Sequence, residues 1–297
     1  MVAASDARSG PPSPRVARGD SIWPWRSLGF SPADLLNIVS PRRGLQVHTG
    51  IAYGRGPRRM LDVYRPDAGG AAPVVVFFYG GSWQSGDRDL YRFVGASLAT
   101  RGIVAIIPDY TVYPGARYPD FLDDAAEAVR FVRDNVAGWQ GDPRRIVLMG
   151  HSAGAYIGAM LALDRRWLGR VDLDAGRDLA GMVGLAGPYD FLPIVDPVLQ
   201  TIFGGPDRIE TQPIRYVTAD APPALLIAPR RDSIVSPGNT KRLAEQIRKF
   251  GSQVDERLYP RVGHLSVLGA LARPLQFLAP VLDDVTAFVT SAKGGRS

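Results

Sequence analysis

Five short runs of continuous apolar residues, rich in β-branched side chains, constrain this chain more than any other feature. They are Val74 to Phe78, Ile103 to Ile107, Ile146 to Met149, Met182 to Leu185 and Leu225 to Ala228. Such a run, without polar alternation, belongs to a strand covered on both faces. Helical patterns lie between them. The clearest sets Phe121, Leu122, Ala125, Ala128, Val129 and Val132 on one face of a 3.6-residue period, with Asp123, Asp124, Glu127 and Arg130 opposite. Further helices are expected over Ala153 to Leu163, Pro237 to Phe250 and Pro274 to about Ala292. Buried strands alternating with helices imply right-handed crossovers and a mostly parallel central sheet with helices on both faces, an α/β architecture.

Ahead of the first run, Gln46 to Tyr53 and Met60 to Tyr64 alternate apolar and polar residues around Gly54-Arg55-Gly56-Pro57. That is a hairpin signal, so the sheet is expected to carry an antiparallel N-terminal edge. A short helix is expected to start at Ser31-Pro32-Ala33-Asp34, with Ser31 as cap and Pro32 in the first helical position. The stretches 165–180 and 187–213 carry no clear strand signal and are candidates for covering a site.

The 297 residues fit one large α/β domain over 31–297, preceded by a disordered tail over 1–30 that is rich in Arg, Pro, Ser, Ala and Gly. An Arg-rich targeting segment is the alternative for that tail. A hydrophobic fraction of 45% supplies a core, and 22% charged residues is ordinary for a water-soluble protein. The net charge of +6 is dispersed and not interleaved with aromatics, which argues against nucleic-acid binding. The absence of cysteine excludes disulfides, thiolate metal sites and a Cys nucleophile. There is neither a membrane-length apolar run nor a secretory apolar core, so a cytoplasmic location is expected.

The chemistry centres on Gly150-His151-Ser152-Ala153-Gly154, which falls between a buried-strand run and a helical run. A serine forced into a sharp strand-to-helix turn needs small residues two positions before and after it, and is then presented at the sheet's edge. The following helix points its free N–H groups at the reacting centre, so the Ala153 amide is a candidate oxyanion donor. Tyr79-Gly80-Gly81-Ser82-Trp83 ends an earlier strand. Paired glycines leave backbone N–H groups unobstructed, which makes Gly81 and Ser82 the remaining candidate donors.

Three histidines could act as base. His48 lies in the edge hairpin, and His151 is beside the nucleophile, where its ring does not reach round to the hydroxyl. His264, in a loop after the Gln253 to Tyr259 strand signal, is left. Asp232, following the Leu225 to Ala228 run, is the candidate orienting carboxylate, in the order nucleophile, acid, histidine. Asp190 is its competitor. Trp83, His151 and Tyr156 are candidate pocket residues, with plain packing as the alternative.

With these motifs, together with Pro108-Asp109-Tyr110, Tyr113-Pro114 and Gly263-His264, the chain resembles the esterase and lipase branch of the α/β-hydrolase family over roughly 45–292. Its compact carboxylesterases and kynurenine-formamidase-like members are the nearest in pattern. The resemblance implies an α/β-hydrolase fold, a triad of Ser152, Asp232 and His264, and hydrolysis through an acyl-enzyme without metal or organic cofactor. Two positions depart from the family pattern: Tyr79 replaces a common His, and Thr111 replaces the Arg of Asp-Tyr-Arg. The expected activity is hydrolysis of small to medium carboxylic esters. An arylformamidase or other amidase using the same residues is the alternative, and a non-catalytic binding protein is disfavoured by the complete set. A histidine base must be neutral, so activity is expected to fall on acidification through imidazole's ordinary pKa of about 6.5.

Overall fold

Each continuous apolar run becomes a strand of one eight-stranded sheet. The computed structural model describes residues 32–40, 43–67 and 69–293. The expected tail over 1–30 and the Ser31 cap lie outside the described residues. Helix α1 (Pro32–Ile38) leads into the hairpin β1 (Leu45–Ala52) and β2 (Met60–Pro66), then β3 (Ala72–Phe78), α2 (Arg92–Ala99) and β4 (Val104–Pro108). The middle of the chain forms α3 (Asp120–Asn135), β5 (Gly141–His151), α4 (Ala153–Leu163), α5 (Arg165–Gly169), α6 (Ala175–Asp178) and β6 (Gly181–Leu185). The remainder is α7 (Pro197–Phe203), β7 (Ala224–Pro229), α8 (Gly238–Lys249), β8 (Val254–Tyr259), α9 (His264–Gly269) and α10 (Val281–Ser291).

The strand order is β1-β2-β4-β3-β5-β6-β7-β8. β1 pairs with β2, and β2 with β4, antiparallel, while every other pair is parallel. The expected antiparallel edge is therefore present. Burial follows position: β4, β6 and β7 are buried at every residue, β1 is mostly exposed and β8 alternates. The parallel strands aim their C-terminal ends at one edge, so the segments after β3, β5, β7 and β8 meet there.

Helix α4 is buried along its whole length, against β5 and β6 with α3 beside it. That accounts for its lack of a polar face. In α3 the expected apolar face is inside, but Asp124, read as part of the solvent face, is buried too. It is held there by hydrogen bonds from the Thr111 amide and hydroxyl and from the Arg59 guanidinium. The expected final helix is split as well. Residues Arg273–Leu278 form a 3-10 segment, and α10 starts only at Val281. Pro280 lacks an N–H and forces its predecessor out of helical conformation, and Ala279 is indeed extended (φ −164°, ψ 146°).

Candidate active site

The turn from β5 to α4 holds Ser152 at φ 53°, ψ −120°, a conformation that L side chains rarely adopt. Two contacts enforce it. The Ser152 amide donates to the Leu185 carbonyl at 2.9 Å, and the Ser152 carbonyl accepts from Tyr156 as the helix begins. A β-carbon at Gly154 would stand 1.9 Å from the Phe78 carbonyl oxygen, and one at Gly150 would stand 2.2 Å from that of Gly154. Only glycine fits at either flank. Ser152 itself is nine-tenths buried.

After β3 the chain runs through three consecutive positive φ values, at Gly81 (138°), Ser82 (52°) and Trp83 (58°). The inward-turned Gly81 carbonyl accepts from the Gln84 and Ser85 amides. Non-glycine residues held this way cost about 1–3 kcal/mol each and mark a loop whose shape is fixed by its surroundings. The loop abuts the β5–α4 turn directly, since a β-carbon on Gly80 would lie 3.1 Å from the Ser152 β-carbon.

Tyr79, the departure from the family's usual His, secures this loop. Its ring stacks between Tyr91 (5.1 Å) and Tyr110 (4.8 Å). Its hydroxyl donates to Asp109 at 2.7 Å and accepts from Arg58 at 2.8 Å, while the Tyr110 hydroxyl donates to the Tyr79 carbonyl. Arg88 then joins Asp109 to Asp62 on β2. Arg58 and Arg88 were not singled out from sequence. No local motif marks them, because their partners lie 21 to 52 residues away.

On the other side of the site, His264 opens α9 and Asp232 follows β7. The two meet, with His264 Nδ1 2.8 Å from Asp232 Oδ2. The second carboxylate oxygen accepts from the Ile234 and Val235 amides at 2.8 and 3.0 Å. Burial alone would raise this carboxyl's pKa, but the hydrogen bonds from His264 and the two amides outweigh it and hold the pKa below the ordinary value. An ionised Asp232 accepts a hydrogen bond from His264 Nδ1–H, which turns Nε2 away from the carboxylate.

His151 reaches the same place from the elbow. Its Nε2 lies 2.8 Å from the His264 carbonyl oxygen, and the two rings are 4.9 Å apart. Burial, reinforced by His264, drives its pKa down from 6.5 to about 3, so it is neutral and its Nε2–H donates to that carbonyl. The other candidates lie elsewhere. Asp190 is paired with Arg242, and His48 is exposed on β1. Trp83 and Tyr156 sit within an aromatic cluster with Phe121, Phe191 and Phe203, and the Tyr156 hydroxyl donates to the Thr211 carbonyl.

A serine hydroxyl on a strained turn, an imidazole hydrogen-bonded to a carboxylate, and a loop of backbone amides with positive φ are the parts that acyl transfer requires. Comparison with known proteins points the same way. The BD-FAE family model matches residues 61–247. A probable isoprenylcysteine alpha-carbonyl methylesterase of Arabidopsis thaliana is 30% identical over 80% of this chain and 54% of its own length. The esterase LipC of Mycobacterium tuberculosis is 30% identical over 72% of this chain and 58% of its own. The chain thus spans about half the length of these relatives. Among solved structures, a truncated carbohydrate esterase from gut microbiota superposes with a TM-score of 0.74 at 21% identity, covering 85% of this chain and 99% of that one. A hyperthermophilic esterase from Pyrobaculum calidifontis gives 0.73 at 22%, covering 87% and 90%. These two likenesses concern the α/β-hydrolase fold. Among the described residues no helix is long and apolar enough to cross a membrane.

Proposed function

This chain belongs to the BD-FAE family, and we propose that it is a serine hydrolase of small to medium carboxylic esters. The observation that carries this reading is the His264 to Asp232 hydrogen bond, formed beside a serine held in a strained elbow. His264 Nε2 takes the Ser152 proton as the oxygen attacks the ester carbonyl. The amides of Gly81, Ser82 and Ala153 hold the resulting oxyanion. His264 then gives its proton to the departing alkoxide, and the alcohol leaves behind an acyl-Ser152 ester. Water, deprotonated by the same imidazole, attacks that ester and restores the serine. Asp232 stays ionised throughout and stabilises the imidazolium of each half-reaction.

The test is turnover of p-nitrophenyl esters and of an N-formyl aryl amide by the wild type and Ser152→Ala. Ester hydrolysis that disappears in the variant supports the reading, as does mass addition of one acyl or phosphonyl group at Ser152. Turnover that survives the substitution overturns it. Selective cleavage of the formyl amide would instead favour an amidase.

A further inference from the structure

Apart from Ser152, Asp232 and His264, the chain brings three arginines from separate segments to one cavity of about 480 Å³. Arg43 stands just ahead of β1, Arg101 just beyond α2, and Arg273 opens the 3-10 segment before α10. Neither the triad nor the loop after β3 contributes to its lining. We infer that this cavity is a binding site for a phosphate monoester, separate from the ester-hydrolysing site and independent of the function proposed for that site.

The charges carry the inference. Among the described residues no acidic side chain lines the cavity. The one carboxylate that pairs with any of the three guanidiniums is Asp283, 2.7 Å from Arg101. Both side chains of that pair are exposed, so it adds little stability and leaves Arg101 able to turn to a second anion. Arg43 and Arg273 have no hydrogen bond or ion pair among the described residues. Three cations against one carboxylate leave a surplus of two positive charges. A phosphate monoester carries about −1.5 to −2 at pH 7, on three acceptor oxygens that suit forked guanidinium contacts. A concave site lined by one sign of charge also concentrates ions of the other sign, and a bound anion offsets the mutual repulsion of the arginines.

The walls call for an organic group on that phosphate. Ser97 and Leu282 are 3% and 2% exposed and close the inner side of the cavity. Leu282 offers apolar contact there, while the Ser97 hydroxyl and the Gln276 amide offer neutral hydrogen bonds. The volume falls within the range of about 300–1,000 Å³ that small organic ligands occupy.

The experiment measures binding of phenyl phosphate to the full chain by calorimetry at fixed ionic strength, with benzoate as the monoanion and phenol as the neutral comparison. Sedimentation with phosphatidylcholine vesicles, with and without phosphatidic acid, separates a lipid headgroup from a free phosphate ester. The variants are Arg43→Gln and Arg273→Gln, which break no ion pair among the described residues. We expect phenyl phosphate to bind one to one with a Kd below about 1 mM, benzoate about tenfold more weakly, and phenol not at all. Each variant should weaken phenyl phosphate about tenfold while melting and turning over esters as the wild type does. Arginine-dependent binding of phosphatidic-acid vesicles alone would keep the site and assign it to a headgroup. A wild type that binds neither probe overturns the inference without any variant. Equal affinity for benzoate, or unchanged affinity in the folded variants, also overturns it. Ester turnover is read separately, so failure here leaves the serine hydrolase reading standing, and failure of that reading leaves this site untouched.

Discussion

At the scale of single residues, the site is a set of compromises between stability and chemistry. Ser152 occupies a backbone conformation suited to glycine. Ser152→Gly should therefore stabilise the fold by about 1–2 kcal/mol while abolishing ester turnover, as read by thermal melts and an ester assay. His151 gives a pH signature. The unfolded imidazole takes up a proton near 6.5 and the buried one only near 3, so between these values the unfolded chain binds the extra proton. Stability should fall as pH drops through that window, by roughly 5 kcal/mol at the most. His151→Gln should flatten this dependence of Tm on pH between 6.5 and 4. An equally steep profile in the variant would mean that other groups set acid stability. Of these residues, sequence made the elbow legible through its glycines, and chain order indicated Asp232 and His264. The His151 contact to the His264 carbonyl was not legible, because it depends on how a loop 113 residues away folds back.

At the scale of elements, two glycines of the same helix should behave oppositely. Gly154→Ala puts a methyl group into the Phe78 carbonyl, and should cost about 3 kcal/mol or more along with activity. Gly158→Ala meets nothing closer than the Leu148 β-carbon at 3.9 Å, so it should be neutral or stabilise α4 by up to about 1 kcal/mol. Denaturant melts of the two variants check both. Continuous apolar runs made the central strands readable, and a polar stripe did the same for α3. Helix α2 offered no such stripe, since every residue after Arg92 is buried. The break before α10 was written in Pro280, a local signal that outweighs the apolar period around it. Helix α7 likewise carried its own punctuation, Asp196 capping Val198 and Leu199 ahead of Pro197–Phe203 and Gly204 closing it in left-handed conformation.

At the scale of the whole molecule, one sheet edge collects segments from across the chain, and sequence alone indicates that gathering only through its βα rhythm. The aromatic cluster around Trp83 was out of reach, because its members come from the β3 loop, α3, α4, the segment after β6, and α7. The proposed unit over 31–297 has its own test. A chain lacking residues 1–30 should melt in a single transition within about 3 °C of the full chain and keep its ester turnover. A large loss of either would assign that segment to the domain. The Arg88 strut bears on the molecule as a whole too. It runs from Asp62 in the edge hairpin to Asp109 beyond β4, and Asp109 in turn holds Tyr79. The loop after β3 is consequently not an exchangeable cassette. A loop transplanted from a His-type relative would leave Arg58 without its tyrosine partner, so hairpin and loop would have to be inherited, or engineered, together.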